Sequence, residues 1–248
     1  MSHTHHPFDD RFDALYRGFE DRFRGSIDEV RAKQRVHVPV FAVAAGGVVL
    51  DIGCGRGEFL ALLKEARVAA RGVDSNREMI AEARARGLDA VEGDALEYLD
   101  ALPDGSLAGA IASQVVEHLP PAYVVKLLSA AFDKLRPGAP IVIETINAAC
   151  WLAFFSSYLR DFTHVWSVHP ETRQYLMQAS GCSRGEIKYT EQAPDPVRMR
   201  VVDPASLTGG DAATSRALNT LADAYNANAS ILNSLLFSYM DYSVVGYR

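Results

Sequence analysis

The stretch from Val48 to Glu58, VVLDIGCGRGE, decides the fold. It begins as an apolar, β-branched run, turns through three glycines and opens a helical run at Glu58. Glycine lets a backbone turn tightly and approach a ligand closely. In an open α/β sheet, ligands bind beyond the carboxyl ends of the strands. We therefore predict a strand, a tight turn and a helix, with the turn on the wall of a ligand site.

The glycine spacing separates this turn from the nicotinamide dinucleotide fingerprint. A GxGxxG pattern would need its third glycine at position 58, which is Glu58. Gly53, Gly55 and Gly57 form GxGxG instead, which departs from that fingerprint. A glycine-rich turn alone is weak evidence for any one ligand, so the neighbouring segments have to decide.

Outward from the turn, strand-like and helix-like runs alternate. We expect helices over 58–66, 77–86 and 122–135, and further strands over 71–74, 90–92, 107–113 and 140–144. The alternation predicts a parallel sheet covered by helices on both faces. Two later strands, 185–191 and 242–247, complete an α/β fold with a doubly wound, mostly parallel seven-stranded sheet.

Three further segments flank this pattern. Residues 1–36 carry aromatic residues at helical spacing and are expected to form an N-terminal helical extension of a domain over 37–248. An aromatic-rich insertion of about 146–170 follows the fifth strand. The long helix expected over 213–239 packs on its own domain in one interpretation and supports a homodimer in the other.

The composition of the chain limits which classes of function and partner are compatible with it. The 248 residues carry a formal net charge of -6, which argues against a nucleic-acid partner. Cys54, Cys150 and Cys182 are far apart and fit reduced thiols in a cytoplasmic protein. Residues 1–10 lack the apolar segment of a secretory signal and are expected to be disordered. No apolar run reaches the ~20 residues of a membrane-spanning helix.

Polar residues follow the next three strands. Asp74 ends the second strand, Asp94 follows the third, and Gln114 follows the fourth. A carboxylate at Asp74 can accept both hydroxyls of a ribose, and Asp94 is placed to meet an adenine amino group. The ordered set VLDIGCGRGEFL, GVD, EGDAL and SQVVEHL resembles motifs one to four of class I S-adenosylmethionine-dependent methyltransferases, over residues 48–144.

The resemblance implies S-adenosylmethionine as cofactor and S-adenosylhomocysteine as product. Asp51 would orient the turn and the cofactor's amino group, and Gln114 would lie near the sulfonium. Arg56 is a candidate partner for the cofactor carboxylate, with a solvated arginine at a helix start as the alternative. The cofactor-binding residues implied are Asp51, Gly53, Cys54, Gly55, Arg56, Gly57, Asp74, Ser75, Met79, Asp94, Ala95, Gln114 and Val115.

A second resemblance concerns the methyl acceptor. YLRDFTH over 158–164 and VHPET over 168–172 are similar to bacterial polysaccharide methyltransferases, among them O-antigen chain-terminating and methylmannose polysaccharide types. NSLLF over 233–237 and MDYSVVG over 240–246 resemble their closing segment. This implies O-methylation of a sugar or polysaccharide hydroxyl in polysaccharide biosynthesis. Some members carry a kinase domain afterwards; because this chain ends at Arg248, we expect none.

A hydroxyl acceptor needs a base, because it is a poor nucleophile at neutral pH. The candidates for the base and its partner are His164, His169, His118 and Asp161. The alternative for His169, which precedes Pro170, is a helix cap, and the alternative for His118 is packing or capping. An acceptor site for a sugar needs aromatic rings that stack on the sugar and polar groups that bind its hydroxyls. The substrate-binding candidates of these two kinds are Glu144, Trp151, Tyr158, Arg160, Trp166 and Arg173.

Three alternatives stay open. A phosphate acceptor would need cations such as Arg160 and Arg173 instead of a base. A small catechol-like or quinone-like hydroxyl fits the aromatic insertion, and a non-catalytic, cofactor-binding scaffold in glycan assembly fits the cofactor motifs.

Glu144 with Asp161, His164 and His169 could form a metal site, but their spacing matches no recognised ligand pattern, so we predict no metal.

Overall fold

The computed structural model describes residues 7–42, 46–207 and 210–248. Disorder was expected over residues 1–10, of which 1–6 lie outside the described residues. The first helix, α1, begins at Pro7, so the rest of that segment is helical. Within the described ranges, every helix is too short or too polar to cross a membrane.

Seven strands form one sheet in the order β3-β2-β1-β4-β5-β7-β6. The strands are β1 Val48–Ile52, β2 Ala70–Asp74, β3 Ala90–Glu92, β4 Leu107–Ser113, β5 Pro140–Ile146, β6 Arg184–Gln192 and β7 Tyr239–Tyr247. β1 to β5 run parallel, whereas β7 is antiparallel to both β5 and β6. The predicted seven-stranded, mostly parallel sheet is confirmed, and it is a mixed sheet because β7 is reversed.

Ten α-helices lie in the described ranges. They are α1 Pro7–Phe23, α2 Ile27–Gln34, α3 Val38–Phe41, α4 Glu58–Glu65, α5 Arg77–Ala85, α6 Ala95–Asp100, α7 Pro121–Lys134, α8 Trp151–Ala153, α9 Pro170–Ala179 and α10 Ala212–Leu236. α10 ends before the expected boundary at 239, because β7 already begins at Tyr239. A π-helical turn, Phe154–Tyr158, continues α8 in the insertion after β5.

The strands at the centre of the sheet are buried on both faces. All seven residues of β4 are buried, and three of them are alanine, which lets helices pack closely on either side. Gly109 in β4 shows how close the approach is, because an added Cβ would lie 2.8 Å from the Phe41 ring. Leu50 and Val49 belong to the clusters on opposite faces. The core therefore fixes where the strands end, and the strand ends position the site.

The N-terminal helices lie across the helices that follow β1 and β2. Arg17 of α1 forms ion pairs with Glu78 and Glu82 of α5 at 3.3 and 3.2 Å. Arg31 of α2 pairs with Glu65 at the end of α4. Exposed ion pairs contribute little stability, so their main effect is orientation. They hold α1 above the carboxyl ends of the strands.

Candidate functional site

The glycine turn after β1 lies on the wall of a cavity of about 560 Å³, called here the turn cavity. Gly53, Gly55 and Gly57 all have positive φ, at 67°, 51° and 81°. An added Cβ on Gly53 would collide with Val115, and one on Gly57 would lie 2.5 Å from Leu88. Gly53 and Gly55 line the cavity, whereas Gly57 precedes α4 and packs against the neighbouring helix instead.

Asp74 ends β2 on the wall of the same cavity. Its carboxylate accepts hydrogen bonds from the amides of Gly55 at 2.9 Å and Asn76 at 2.8 Å. Burial raises the pKa of Asp74, and the two amides oppose that rise. The carboxylate is therefore fixed by the backbone, and its remaining lone pairs can accept hydrogen bonds from a ribose.

Asp51 lies beneath the glycine turn, not on the cavity wall. The residue is 3% exposed, and among the described residues its Oδ2 has no hydrogen-bonding partner. Burial, followed by the charges of Glu58 and Asp74, raises its pKa well above the usual value. A buried carboxylate without a partner is costly, and a cationic ligand group nearby would relieve that cost. This orphaned oxygen fits the ammonium group of S-adenosylmethionine.

The far end of the turn cavity is lined by residues following β2 and β3. Asp94 caps α6 through the amides of Leu96 and Glu97, both at 2.9 Å. Its second oxygen accepts a hydrogen bond from the Tyr123 hydroxyl at 2.7 Å, and burial followed by this bond raises the pKa of Tyr123 to about 12. Of the predicted cofactor residues, the cavity wall includes Gly53, Gly55, Asp74, Ser75, Met79, Asp94, Ala95, Gln114 and Val115.

Two further predicted cofactor residues, like Asp51 and Gly57, lie off the cavity wall. Cys54 is buried against Gly72, and burial raises the pKa of its thiol. Arg56 is 5% exposed, and its Nε donates to Glu58 at 2.8 Å. The prediction that Arg56 meets the cofactor carboxylate is not supported, because its guanidinium turns back to a residue of its own turn.

Arg24 is the cation on the cavity wall that sequence reasoning missed. It follows α1, lines the turn cavity and lies beside Gly55. Its charge opposes the effect of burial on the pKa values of Asp51 and Asp74. No spacing pattern marks this residue, because only the packing of α1 over the strand ends brings it to the site.

A second cavity of about 340 Å³ shares Tyr16, Arg24, Gln114 and His118 with the turn cavity. We call it the acidic cavity because five carboxylates line it, Glu117, Glu144, Asp161, Glu191 and Asp241. Its wall also carries the cations Arg24, Lys33 and Arg160 and the rings of Tyr16, Phe19 and Phe23. The predicted residues Glu144, Arg160, Asp161, His118 and His164 therefore meet on one surface.

Gln114 connects the two cavities. It has a φ of 57°, a left-handed conformation that is uncommon for a residue other than glycine. Its amide donates to the Glu144 carbonyl at 3.0 Å, and its Nε2 donates to Asp241 at 3.3 Å. Burial, followed by the charge of Glu144, raises the pKa of Asp241 well above its usual value. The reversed strand β7 thus supplies one wall of the acidic cavity.

Glu144 anchors the floor of the acidic cavity. One carboxylate oxygen lies 2.8 Å from His37 Nε2, and the other accepts the Ser113 hydroxyl at 2.6 Å. Because protein groups already bind both oxygens, the main role of Glu144 is to connect His37 and Ser113 in the cavity wall. Little of its carboxylate is left to bind a ligand.

The two predicted histidines of the cavity lie side by side, with their ring planes inclined by 56°. The ring centroids of His118 and His164 are 4.5 Å apart, and the Tyr158 ring stacks on His164 at 4.9 Å. His118 Nδ1 is 2.8 Å from the Thr163 hydroxyl, and His164 Nδ1 is 2.7 Å from the Tyr158 carbonyl. Burial, followed by the charge of His164, lowers the pKa of His118 to about 4.

Glu117 lies beside these rings and is 1% exposed. Neither of its carboxylate oxygens has a hydrogen bond of normal geometry to any described residue. Burial raises its pKa to about 7, opposed in part by its backbone amide, the Thr145 hydroxyl and Arg173. Together with His118 and His164 it offers three possible metal ligands whose atoms lie within 4.8 Å of one another.

The structure corrects five predicted acceptor contacts, those of His169, Trp151, Tyr158, Trp166 and Arg173. His169 is half-exposed and caps α9, its Nδ1 accepting the Glu171 amide at 3.3 Å. Trp151 is 61% exposed, while Arg173 is fully buried with its guanidinium 5.3 Å from the Trp166 ring. Neither cavity includes these five residues, although the Tyr158 ring stacks on His164. The metal set that combined Glu144 with His169 is therefore also wrong, because His169 lies outside the cavity.

Comparison with known proteins agrees with this geometry. A family model described as a methyltransferase domain matches residues 28–183. The solved structure of a S-adenosylmethionine-dependent methyltransferase from Archaeoglobus fulgidus is 34% identical, with a TM-score of 0.82 over 94% of this chain and 99% of that chain. A possible histamine N-methyltransferase from Thermotoga maritima shares the fold at 16% identity, with a TM-score of 0.58 over 96% of each chain.

A curated relative matches a smaller region. A protein of Mycolicibacterium smegmatis described as a probable S-adenosylmethionine-dependent methyltransferase is 33% identical over 105 residues. The match covers 42% of this chain and 39% of that protein. The matched region is thus well under half the length of the relative.

Proposed function

This chain belongs to the class I family of S-adenosylmethionine-dependent methyltransferases, and from that premise we propose that it methylates a hydroxyl group of a sugar or polysaccharide. The observation that carries the proposal is the acidic cavity, which shares a wall with the cofactor's cavity. Its carboxylates can accept hydrogen bonds from several hydroxyls at once. The rings of Tyr16, Phe19 and Phe23 offer flat surfaces for stacking on a sugar.

The cofactor side is divided among four groups of the chain. Asp74 holds the ribose, Asp94 and the Ala95 amide hold the adenine, and Asp51 balances the ammonium group. Arg24 takes the role first expected of Arg56 and binds the carboxylate. S-adenosylmethionine supplies an activated methyl group, so the task of the protein is alignment of the acceptor oxygen and removal of its proton.

We propose that the N-terminal extension, residues 1–36, and the insertion, about 146–170, build the acceptor side of the domain over 37–248. Phe19 of α1 packs edge-on against Phe162 of the insertion at 5.5 Å. Tyr16 contacts His118 at 5.9 Å, and its hydroxyl lies 3.5 Å from Asp161. These contacts support a joint role, because residues of both segments line the acidic cavity.

His164 is the base in the protein without a metal ion. The Tyr158 carbonyl oxygen can only accept a hydrogen bond, so His164 Nδ1 carries the hydrogen and donates it in that bond. The lone pair of the neutral imidazole is therefore on Nε2. Asp161 Oδ2 lies 3.8 Å from that Nε2 and would stabilise the imidazolium formed on proton uptake. Burial lowers the pKa of His118 to about 4, which makes that ring a poor proton acceptor.

The test is a comparison of acceptors and of two histidine variants. Purified protein with S-adenosylmethionine is offered mannose oligosaccharides, a catechol and a primary amine, and S-adenosylhomocysteine is measured. We expect turnover on a sugar, a kcat lower by about hundredfold in His164→Asn, and no change in His169→Asn. Both variants should bind S-adenosylhomocysteine like the unmodified protein.

Each other result contradicts part of the proposal. Turnover on the catechol or the amine but on no sugar would replace the acceptor class. Tight cofactor binding without turnover on any acceptor would favour a non-catalytic scaffold. Equal losses in both histidine variants would remove His164 from the role of base.

A further inference from the structure

Three side chains with metal-binding atoms meet between the two cavities. Glu117 and His118 belong to a short turn after β4, Val116–His118, and His164 follows the π-helical turn. One ligand atom from each lies within 4.8 Å of the others. All three line the acidic cavity, and His118 also lines the turn cavity.

The hydrogen bonds of both histidines leave the same nitrogen free. The Thr163 hydroxyl donates to Asp161 at 2.6 Å, so it must accept from His118 Nδ1. The Tyr158 carbonyl likewise accepts from His164 Nδ1. Both rings are therefore the tautomer with a lone pair on Nε2. Metal-binding histidines are oriented in the same way, with the other ring nitrogen donating to a protein oxygen.

Glu117 completes the set with a carboxylate that the protein leaves unsatisfied. It is almost fully buried, and among the described residues neither oxygen has a hydrogen bond of normal geometry. Its own carbonyl accepts the amides of Val165 and Trp166, at 2.9 and 3.1 Å, which ties this turn to the segment after His164. The Thr145 hydroxyl and the charge of Arg173 offset the burial of this carboxylate only in part, and a cation beside it would reduce the remaining penalty.

We propose that Glu117, His118 and His164 bind a divalent transition-metal ion. Two imidazole nitrogens and one carboxylate form a ligand set suited to zinc, cobalt or ferrous iron and poorly suited to magnesium or calcium. Three protein ligands leave coordination positions open, and these face the acidic cavity. The site differs from the one considered from sequence, because it uses Glu117 and His118 in place of Glu144 and His169.

The proposal stands on the three side chains and does not depend on the acceptor. It has one consequence for the reaction proposed above, since a coordinated Nε2 has no lone pair left to take a proton. Loading the protein with zinc should therefore lower methyl transfer to the sugar at least about tenfold, and a chelator should restore it. If zinc instead increases turnover, that result would support the metal site and contradict the assignment of His164 as the base.

The test is a calorimetric titration of the chelator-stripped full-length protein with Zn²⁺, repeated with Co²⁺ to observe its absorption bands. We expect one ion per chain. Glu117→Gln and His164→Asn should each weaken zinc binding by about a hundredfold. Thr163→Val keeps all three ligands but removes the hydroxyl that accepts from His118 and donates to Asp161, and it should weaken zinc binding by about tenfold. Circular dichroism checks that each variant is folded.

Two matched variants separate this site from adventitious binding. His3, His5 and His6 near the amino terminus could also bind zinc, so the triple change of these three to Asn is titrated alongside His169→Asn. Unchanged stoichiometry and affinity in both would support the site. The proposal is overturned if the triple variant loses the ion, or if Glu117→Gln binds zinc like the unmodified protein.

Discussion

The turn cavity and the acidic cavity lie side by side but are encoded differently along the chain. The turn cavity is built mostly from the ends of β1 to β4, and backbone amides orient its main carboxylate, Asp74. The acidic cavity combines α1, α2, the insertion after β5 and the reversed strand β7. A cavity made of strand ends can be recognised in a short motif, whereas one assembled from distant segments cannot.

The largest effect should come from removing the carboxylate that orders the turn cavity. Asp74→Ala deletes the acceptor of the Gly55 and Asn76 amides together with the proposed ribose contact. We expect S-adenosylhomocysteine to bind at least about a hundredfold more weakly, about 3 kcal/mol, in a calorimetric titration. Asp89→Ala is the control, because that exposed residue only pairs with Arg71. A loss below fivefold in Asp74→Ala would mean that the turn does not depend on this carboxylate.

The second effect separates the contribution of the glycine turn to protein stability from its contribution to cofactor binding. Gly57→Ala places a Cβ 2.5 Å from Leu88 at a φ of 81°, so unfolding should become easier by about 2 kcal/mol in denaturant titrations. Cofactor affinity should change less than threefold, because Gly57 is not on the cavity wall. Gly138→Ala has a similar φ but nothing within 4 Å, and should cost about 1 kcal/mol. Equal costs would exclude the contact with Leu88 as the cause.

The third effect concerns Asp51, whose removal should raise protein stability and lower cofactor affinity. The pKa of Asp51 is raised in the folded protein, so folding loses stability as the pH rises from the unfolded value of about 3.9 through the folded one. Asp51→Asn should thus stabilise the cofactor-free protein by about 1 kcal/mol at pH 7, and by nearly nothing at about pH 4. Glu58, Asp74 and Arg24, which face this group, are unchanged.

The same variant should bind S-adenosylhomocysteine about tenfold more weakly, because the amide lacks the charge that balances the ammonium group. Thermal unfolding with and without the ligand measures both changes. A variant that is less stable at pH 7 would contradict the argument that the carboxylate is buried without compensation.

The smallest effect concerns an aromatic residue that sequence reasoning assigned to the acceptor. Trp151 is 61% exposed, and its ring contacts Phe155 at 5.8 Å outside both cavities. Trp151→Ala should change the free energy of unfolding by less than about 0.5 kcal/mol and leave the KM for the acceptor unchanged. Tyr16→Leu, on the shared wall, should raise that KM. A higher KM in Trp151→Ala would extend the acceptor site across the insertion.

The sequence predicted the sheet and most of the residues that line the turn cavity, because each signal lies within one strand and the turn after it. Gly53, Asp74 and Asp94 are such signals. Arg56 was misassigned because a side chain in a turn can pair with a residue two positions away, here Glu58. Arg24 was missed because its position depends on how α1 packs across the strand ends.

The acceptor side shows the same limit. Asp161 and His164 were both predicted to act on the acceptor, and they meet on the wall of the acidic cavity because they lie three residues apart in one segment. Asp241 reaches the cavity only because β7 runs antiparallel to β5. Trp166 packs over the core beside Arg173, and a list of aromatic residues cannot distinguish that position from a stacking surface.

Tyr16, Arg24, Gln114 and His118 belong to both cavities, so a ligand in either cavity would touch residues that also line the other. Linked binding equilibria are reciprocal: if the cofactor strengthens acceptor binding by some factor, the acceptor strengthens cofactor binding by the same factor. With the acceptor in the acidic cavity, as we propose, the release of S-adenosylhomocysteine would depend on whether the methylated product has already departed. Product inhibition patterns in steady-state kinetics would report this order of departure directly.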